Sequence, residues 1–416
     1  MGLKKFKEIL GNELGRIDSL GISKRNERVI EGFWEDGAII GGRRYVVFNS
    51  NDYLGLRLNK KIISAEEEGT KKYGAGPGAV RFISGTTEVH KNLELAIAKF
   101  HGREDAILFS SAFSANLSVL HSLIKGQSVD SLVSSNTLVI SDELNHRSII
   151  EGIRVSGISK LQKEVFSHMN YDDLERIIRE NKGKFRRVII VTDGIFSMLG
   201  EAQDIKKIKT IAERYDDEFE EGILVVVDDA HRVGCFGKTG RGCEEFFGAR
   251  ADIIIGTLGK AFGADGGYVT GDKIFIDYFR ESAASYVYSN PISGGNASAG
   301  LEALRIISEE GVKILKKLNE NIKIFKEGIV SNGLKLASDS NHAIQPILIG
   351  DPEKTKKIVS LLFDDGFLVT GINYPIVPKG CDEIRVQISA AHKKEDIENF
   401  VDSCERHMRE IQMGIK

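Results

Sequence analysis

The strongest constraint on this chain is a series of five short apolar runs in its middle, each too short for a typical helix. The runs fall at residues 106–109, 138–140, 188–191, 224–227 and 253–255. Stretches with helical spacing lie among them, at residues 89–100, 171–181 and 205–215. Continuous apolar runs that alternate with helices are typical of strands buried on both faces. The sequence therefore predicts an α/β fold with a mostly parallel sheet and helices on both faces.

The domain organisation follows from length and from a change of pattern near residue 290. A chain of 416 residues is too long for one small core. We expect an N-terminal helical arm and hairpin over residues 1–50, with the turn at Gly41-Gly42, and a large domain over residues 51–290. Residues 291–416 should form a smaller α+β C-terminal domain after a long helix at residues 294–328. No flexible linker separates the two larger units, which favours a cleft between packed domains.

The finer pattern of the C-terminal part can also be predicted. Apolar runs at residues 344–349 and 384–388 indicate strands. Helical spacing indicates helices at residues 352–364 and 394–412. A further charged helix is expected near residues 60–73.

Composition excludes several classes of function. The net charge is −3, from 57 basic and 60 acidic residues, so nothing supports general binding to nucleic acid or to a membrane surface. No apolar run approaches the roughly 20 residues that span a bilayer. The four cysteines are too few and too scattered for a disulfide framework, which favours a reducing cytoplasm.

Three matches to known motifs are incomplete or lie in the wrong structural context. Residues 74–79 match a dinucleotide fingerprint but follow a charged helical segment instead of a strand. Gly237-Lys238-Thr239 resembles the end of a phosphate-binding loop, yet Arg232 occupies the position of the required glycine. Cys404 and His407 have the spacing of half a zinc site without a second pair nearby, so we expect no metal.

Polar residues that could carry chemistry come just after the predicted strands. Asp228 and His231 follow one strand, and Lys260 follows another. Ser197 follows a third, and Ser111 precedes a helical pattern after the run at residues 106–109. Because the carboxyl ends of parallel strands meet at one edge of a sheet, these groups should converge there.

Each of these residues also has an ordinary structural interpretation. Asp228 alone could cap a helix, and Lys260 alone could be a solvated surface lysine. His146 could be an exposed loop residue, and His231 could be a hydrogen-bonded structural one. These interpretations weaken when all four residues fall at the same sheet edge.

Pyridoxal phosphate needs the groups that meet at this edge. Its aldehyde needs a lysine, and its pyridine nitrogen needs a carboxylate. Its phosphate suits the N–H groups of a helix N-terminus, and its ring can be covered by an imidazole. The sequence therefore predicts a pyridoxal phosphate site.

Five segments resemble the α-oxoamine synthases, which are pyridoxal phosphate acyltransferases of aminotransferase fold type I. They are residues 80–86 (VRFISGT), 141–150 (SDELNHRSII), 256–261 (GTLGKA), 369–380 (VTGINYPIVPKG) and 384–392 (IRVQISAAH). The last two resemble most closely the glycine C-acetyltransferases, also called 2-amino-3-ketobutyrate coenzyme A ligases. Residues 51–55 (NDYLG) are equally similar to 8-amino-7-oxononanoate synthases.

The resemblance implies a role for each candidate residue. Lys260 would hold the cofactor aldehyde and later move the substrate proton, while Asp228 would pair with the pyridine nitrogen. His146 would stack on the ring, and His231 and Ser197 would lie near its phenolic oxygen. His231 would also polarise the acyl carbonyl. The remaining residues fall into three groups: Ser111, Ala112, Phe113 and Thr257 for the phosphate; Ser289 and Asn290 for the phosphate of a partner subunit; Arg385 and Asn51 for the amino-acid carboxylate.

The implied reaction is condensation of glycine with acetyl-CoA to 2-amino-3-oxobutyrate, or its reverse in threonine breakdown, in a homodimer with shared active sites. The alternatives are a sibling synthase with a longer acyl-CoA and alanine or serine, an ordinary aminotransferase, and a catalytically silent binding subunit. Three positions depart from the usual pattern: Ser114, Leu199 and Arg232. We expect the Arg232 guanidinium to point away from His231, because proximity would lower the pKa of the imidazole.

Overall fold

The computed structural model describes residues 2–20, 22–34, 37–128 and 130–414. The strands are β1 (Gly32–Trp34), β2 (Gly37–Ile40), β3 (Arg43–Val47), β4 (Asp105–Phe109), β5 (Thr137–Asp142), β6 (Lys163–Phe166), β7 (Arg187–Asp193), β8 (Ile223–Asp228), β9 (Ile253–Thr257), β10 (Gly267–Gly271), β11 (Ile344–Leu348), β12 (Phe367–Leu368), β13 (Thr370–Ile372) and β14 (Glu383–Gln387). The helices are α1 (Gly2–Ser19), α2 (Lys60–Tyr73), α3 (Glu88–His101), α4 (Ala112–Lys125), α5 (Arg147–Val155), α6 (Tyr171–Glu180), α7 (Ile205–Tyr215), α8 (Cys243–Phe247), α9 (Lys273–Ser282), α10 (Ala284–Val287), α11 (Gly294–Ser331), α12 (Pro352–Asp364) and α13 (Lys394–Gln412).

A seven-stranded sheet with the order β4-β10-β9-β8-β7-β5-β6 forms the centre of the molecule. Every neighbouring pair is parallel except those of β10, which runs antiparallel to both β4 and β9. All five predicted strands are present, and the mostly parallel α/β sheet is confirmed. The short β6 and the glycine-flanked β10 were not predicted.

Successive apolar residues of the central strands enter two different cores. In β7, Ile189 and Val191 pack with α4, α5 and α9, whereas Val188 and Ile190 pack with α6 and α7. Alternation of side chains along a strand places these two sets on opposite faces. Helices therefore cover both faces, as the continuous apolar runs predicted.

The central strands extend one or two residues beyond their apolar runs. Asp193 ends β7, Asp228 ends β8 and Thr257 ends β9, and Asp193 lies directly opposite Asp228 in the parallel register. The polar residues at this edge are thus held by ladder hydrogen bonds and not by loops alone.

The N-terminal hairpin is joined to the C-terminal part of the chain. Ile40 pairs with Arg43 across Gly41 and Gly42, which both have positive φ, so the predicted tight turn is present. The strand β3 also pairs in parallel with β12. Near the C-terminus, β11, β14 and β13 form a three-stranded antiparallel sheet, which places Arg385 on its central strand.

The long helix α11 packs along α2 and α3 and contacts α13. At Gly69 an added Cβ would meet Ser298 at 2.3 Å, so α2 and α11 approach closely there. By contrast, none of the side chains of α1 is buried. Among the described residues, no helix combines the length and the apolar character needed to cross a bilayer.

Candidate active site

A cavity of about 230 Å³ lies at the carboxyl ends of β7, β8 and β9. Nine of the predicted residues line it: Ser111, Ala112, Phe113, His146, Ser197, Asp228, His231, Thr257 and Lys260. Ser148, Asp193 and Ala230 complete the lining. The expected convergence at one sheet edge is therefore present in the fold.

Lys260 is half-buried in the cavity wall. Burial lowers the pKa of its amine to about 8, although the charges of Asp228 and Asp193 act in the opposite direction. An appreciable fraction of the amine is therefore unprotonated near neutral pH. That state is the nucleophile and the base that a carbonyl cofactor requires.

Asp228 is held rigidly by two donors. Its Oδ2 accepts a hydrogen bond from Asn116 Nδ2 at 2.6 Å, and its Oδ1 accepts one from the backbone N–H of Ala230 at 3.0 Å. Asn116 also donates to the hydroxyl of Ser148 at 2.9 Å. The carboxylate thus has a fixed orientation beside the cavity, as a partner for a ring nitrogen would need.

His146 stands at the start of α5, where its ring nitrogen Nδ1 lies 2.7 Å from the Ser148 hydroxyl. Its backbone N–H donates to Asp193 Oδ2 at 2.7 Å. Burial lowers the pKa of His146, with an opposing effect from Asp228. A neutral, laterally fixed imidazole can cover one face of a flat ring.

Asp193 is a site residue that the sequence interpretation missed. Burial, together with the charge of Asp228, raises the pKa of Asp193 well above its usual value. Two carboxylates on neighbouring strands repel each other, and this repulsion acts on Asp193 in the same direction as its burial. The apolar run before Asp193 was a signal that could have identified it, since the same argument identified Asp228.

His231 contacts residues from distant parts of the chain. Its Nδ1 lies 2.7 Å from the hydroxyl of Tyr53, and its backbone carbonyl accepts a hydrogen bond from His342 Nε2 at 2.7 Å. Burial lowers the pKa of His231 well below its usual value, and the charges of Lys260 and Arg385 lower it further. The imidazole is therefore neutral at physiological pH. Neither Tyr53 nor His342 was identified from the sequence.

The N-terminus of α4 supplies a place for an anion. Ser111 is the N-cap, and its side chain accepts a hydrogen bond from Ser114 N at 3.1 Å. Gly267 of β10 packs closely against this turn. A Cβ added at Gly267 would lie 2.2 Å from the backbone nitrogen of Ala112. The N–H groups of Ala112 and Phe113 begin a 14-residue helix beside the cavity, an arrangement that suits a phosphate.

Four predicted residues do not line this cavity. Asn51 and Arg385 are half-buried, and Asn51 Oδ1 lies 3.1 Å from the Tyr53 hydroxyl. With the Gln387 amide turned to satisfy both of its ends, its oxygen accepts a hydrogen bond from Arg385 Nη1 at 2.9 Å. Ser289 and Asn290 are exposed in the loop after α10.

Two of the departures from the family pattern have clear structural settings. The Arg232 guanidinium is fully buried and lies 5.0 Å from the ring centroids of both Phe236 and Phe247. Its Nη2 donates a hydrogen bond to the backbone carbonyl of Gln203 at 3.4 Å, and its direction relative to the His231 imidazole stays a prediction. Ser114 belongs to the N-cap hydrogen bonds of α4, through which it supports the anion site.

Comparison with known proteins places this geometry in a family. The aminotransferase class I and II family profile matches residues 43–403. The 8-amino-7-oxononanoate synthase of Petrotoga mobilis is 36% identical over 96% of this chain and 98% of its own length. The 2-amino-3-ketobutyrate coenzyme A ligase of Escherichia coli is also 36% identical, over 97% of each chain.

A solved structure of SPT with its pyridoxal phosphate internal aldimine superposes with a TM-score of 0.86 at 25% identity and covers 99% of both chains. The donor set of the cavity fits the same cofactor: a lysine of lowered pKa, an oriented carboxylate, a neutral imidazole and a helix N-terminus. The chain therefore belongs to the aminotransferase class I and II family, and within it to the pyridoxal-phosphate-dependent α-oxoamine synthases.

Proposed function

We propose that this protein condenses glycine with acetyl-CoA to give 2-amino-3-oxobutyrate and coenzyme A, and that it also cleaves this product in the reverse direction. The observation that carries the reaction type is the joint placement of Lys260, Asp228, His146 and His231 around one cavity. The choice of glycine and acetyl-CoA is supported by residues 369–380 and 384–392, which resemble the glycine C-acetyltransferases.

Bound pyridoxal phosphate supplies an aldehyde for the substrate amine and a ring that withdraws electrons from Cα. Asp228 keeps a proton at the ring nitrogen, because its carboxylate is oriented by Asn116 and Ala230. His146 covers the ring, and the N–H groups of Ala112 and Phe113 bind the phosphate. These three tasks use fixed groups that need little rearrangement.

Lys260 removes and returns the proton at Cα of the amino acid. A positioned base contributes roughly 10²–10⁴-fold to such a step. With a pKa of about 8, the amine accepts a proton readily and can also release it near neutral pH. His231 donates a hydrogen bond to the acyl carbonyl oxygen, on which negative charge develops as the carbon–carbon bond forms.

Arg385 binds the substrate carboxylate. Burial lowers its pKa, but a guanidinium remains charged, and its planar fork matches the two oxygens of a carboxylate. Asn51, in the segment between β3 and α2, supports the same carboxylate. Arg385 is held on the central strand β14 and by Gln387, which sets the direction of its fork.

We further propose a homodimer in which Ser289 and Asn290 reach the phosphate of the partner subunit. Both residues are exposed and do not line the cavity of their own chain. Exposed Phe82 and Tyr288 support an interface near this region, since large apolar side chains are enriched in interfaces. The cytoplasm is the proposed compartment, supported by four cysteines that are all free thiols.

A second candidate is synthesis of 8-amino-7-oxononanoate or a similar product from a longer acyl-CoA and another small amino acid. It is favoured by relatives of that name whose identity, 35–38%, is about the same as the 36% of the ligases. Apolar pockets discriminate by only about 1–3 kcal/mol per methylene, so one or two side chains can decide between the two reactions.

The test is to measure coenzyme A release with acetyl-CoA and with pimeloyl-CoA, each paired with glycine, alanine and serine. We expect the highest kcat/KM with glycine and acetyl-CoA. The highest kcat/KM with pimeloyl-CoA and alanine would replace the first proposal by the second. The Lys260→Ala variant is the control for release that does not depend on the site.

A further inference from the structure

Tyr53 connects two parts of the proposed site without lining the cavity. It is fully buried, and its hydroxyl lies 2.7 Å from His231 Nδ1 and 3.1 Å from Asn51 Oδ1. Its ring packs edge-on against His342, with centroids 5.0 Å apart. Tyr53 therefore has a fixed position between the residue proposed to contact the acyl carbonyl and one proposed to support the amino-acid carboxylate.

The neutral His231 imidazole carries one ring proton, and the Tyr53 hydroxyl carries one proton of its own. Two arrangements are therefore open. In the first, Tyr53 donates to Nδ1, and the ring proton is on Nε2. In the second, Nδ1–H donates to Tyr53, which donates to Asn51, and Nε2 has only a lone pair. Only the first gives the cavity a hydrogen-bond donor.

The distances favour the first arrangement. A hydroxyl donor typically lies about 2.5–3.0 Å from its acceptor, whereas an amide N–H reaches about 3.2 Å. The 2.7 Å contact with His231 has the usual length of a hydroxyl donor, whereas the 3.1 Å contact with Asn51 Oδ1, which the same hydroxyl can reach, is the longer of the two. Asn51 Oδ1 also lies 3.3 Å from the Gln387 amide nitrogen, so a half-turn of Asn51 that makes it a donor to Tyr53 goes together with the turn of Gln387, whose oxygen then faces the Asn51 nitrogen.

We propose that Tyr53 is a positioning residue whose hydroxyl donates to Nδ1 of His231 and so keeps the imidazole proton on Nε2, facing the cavity. In the described part of the chain, Nε2 has no hydrogen-bonding partner, so it is available to an oxygen of a bound molecule. The backbone of His231 is anchored separately, because its carbonyl accepts hydrogen bonds from His342 Nε2 and from Cys235 Sγ at 3.2 Å.

The catalytic consequence rests on the proposed acyl transfer. The acyl carbonyl oxygen becomes negatively charged as the new bond forms, and a fixed N–H donor stabilises it. A neutral imidazole with the opposite tautomer would instead direct a lone pair at that oxygen. Tyr53 thus determines whether His231 assists or opposes the reaction, although it touches neither substrate.

The tautomer can be measured directly. Histidine labelled with ¹⁵N in the full-length protein loaded with pyridoxal phosphate reports, through two-bond proton–nitrogen correlations, which ring nitrogen carries the proton. The His231→Gln variant assigns the signals by their loss. We expect an unprotonated Nδ1 and a protonated Nε2 at pH 7.5. A protonated Nδ1 would overturn the proposal.

A kinetic comparison tests the role of this hydrogen bond. We expect Tyr53→Phe to lower kcat for coenzyme A release by roughly 10-fold, a fraction of the ~10²–10³ effect of deleting a whole oxyanion donor, with a smaller change in the KM for glycine, whose carboxylate Asn51 supports. The control is Tyr268→Phe, which also removes a buried hydroxyl bonded to a histidine, His101 Nε2 at 2.9 Å, but outside the site.

The outcomes separate this inference from the proposed function. An unchanged kcat in Tyr53→Phe, or an equal loss in Tyr268→Phe, would reject the positioning role even if the tautomer is as expected. Wild-type protein that releases no coenzyme A from any acyl-CoA would reject the proposed function. The ¹⁵N result would then still decide which nitrogen carries the proton.

Discussion

His168 offers a prediction whose size can be worked out from the structure. Its Nδ1 lies 2.9 Å from Asp142 Oδ1 and its Nε2 lies 3.2 Å from Glu201 Oε2, while the ring packs edge-on against Phe196 with centroids 4.3 Å apart. Burial alone would lower the pKa of His168. The two carboxylates outweigh this effect and raise the pKa to about 9.

A rise from 6.5 to about 9 corresponds to about 3 kcal/mol of stabilisation of the folded protein. The His168 side chain is 18% exposed and that of Glu201 is 33% exposed, so screening by water reduces the expected contribution to about 2 kcal/mol. Because the pKa is raised on folding, this contribution is fully present below pH 6.5. It is lost as the pH rises through 9.

The test compares wild type with His168→Gln in urea-induced unfolding at pH 6, 7.5 and 9.5. We expect the variant to be less stable by about 2 kcal/mol at pH 6 and nearly equal to wild type at pH 9.5. The control is His121→Gln, because burial and Lys125 lower the pKa of His121 instead of raising it. A His168 variant whose deficit is the same at all three pH values would refute the charge argument and leave only packing against Phe196.

Three further predictions concern the proposed site. The first concerns Lys260, whose pKa is about 8. We expect the rate at which cofactor-free protein captures pyridoxal phosphate to rise as the pH passes through 8. A rate that does not change between pH 6.5 and 9.5 would contradict this prediction. Arg385→Lys should raise the KM for glycine by roughly 10- to 100-fold with a smaller change in kcat, because the bidentate charged hydrogen bonds are worth about 1.5–3 kcal/mol. An unchanged KM in steady-state kinetics would exclude Arg385 as the carboxylate site. Gly267→Ala should weaken pyridoxal phosphate binding, since the added Cβ would meet Ala112 N at 2.2 Å and displace the start of α4. An absorbance titration in which the variant binds the cofactor as tightly as wild type would argue against a phosphate at this helix.

The central sheet could be predicted from the sequence because its strands are continuously apolar. Runs such as residues 188–191 are buried on both faces, so every residue in them is apolar. This pattern can be recognised from the sequence without knowing which residues pack against the strand. The strand β10 (Gly267–Gly271) was missed because glycines occupy both of its ends. Its glycines are required by contacts with Ser111 and Asp252, which belong to distant segments.

In the candidate site too, residues that follow a local sequence pattern could be predicted, whereas residues brought in from distant segments could not. Asp228 ends a strand, and Lys260 and Ser197 lie within a few residues of strand ends, so their convergence could be inferred from topology. Tyr53 and His342 reach His231 from segments more than 100 residues away, through contacts that only the folded chain reveals. Asn116 was missed for another reason, since its position inside the apolar face of α4 gives no local sign that it holds Asp228.

The most direct test of the account is the visible absorbance of the purified protein with pyridoxal phosphate, recorded after addition of glycine and then of acetyl-CoA, with coenzyme A release measured in the same sample. We predict that glycine changes the cofactor spectrum, that acetyl-CoA changes it again with release of coenzyme A, and that Lys260→Ala does neither at a comparable rate. A spectrum that responds to glycine but not to acetyl-CoA, without coenzyme A release, would contradict acetyl transfer as the function of this site.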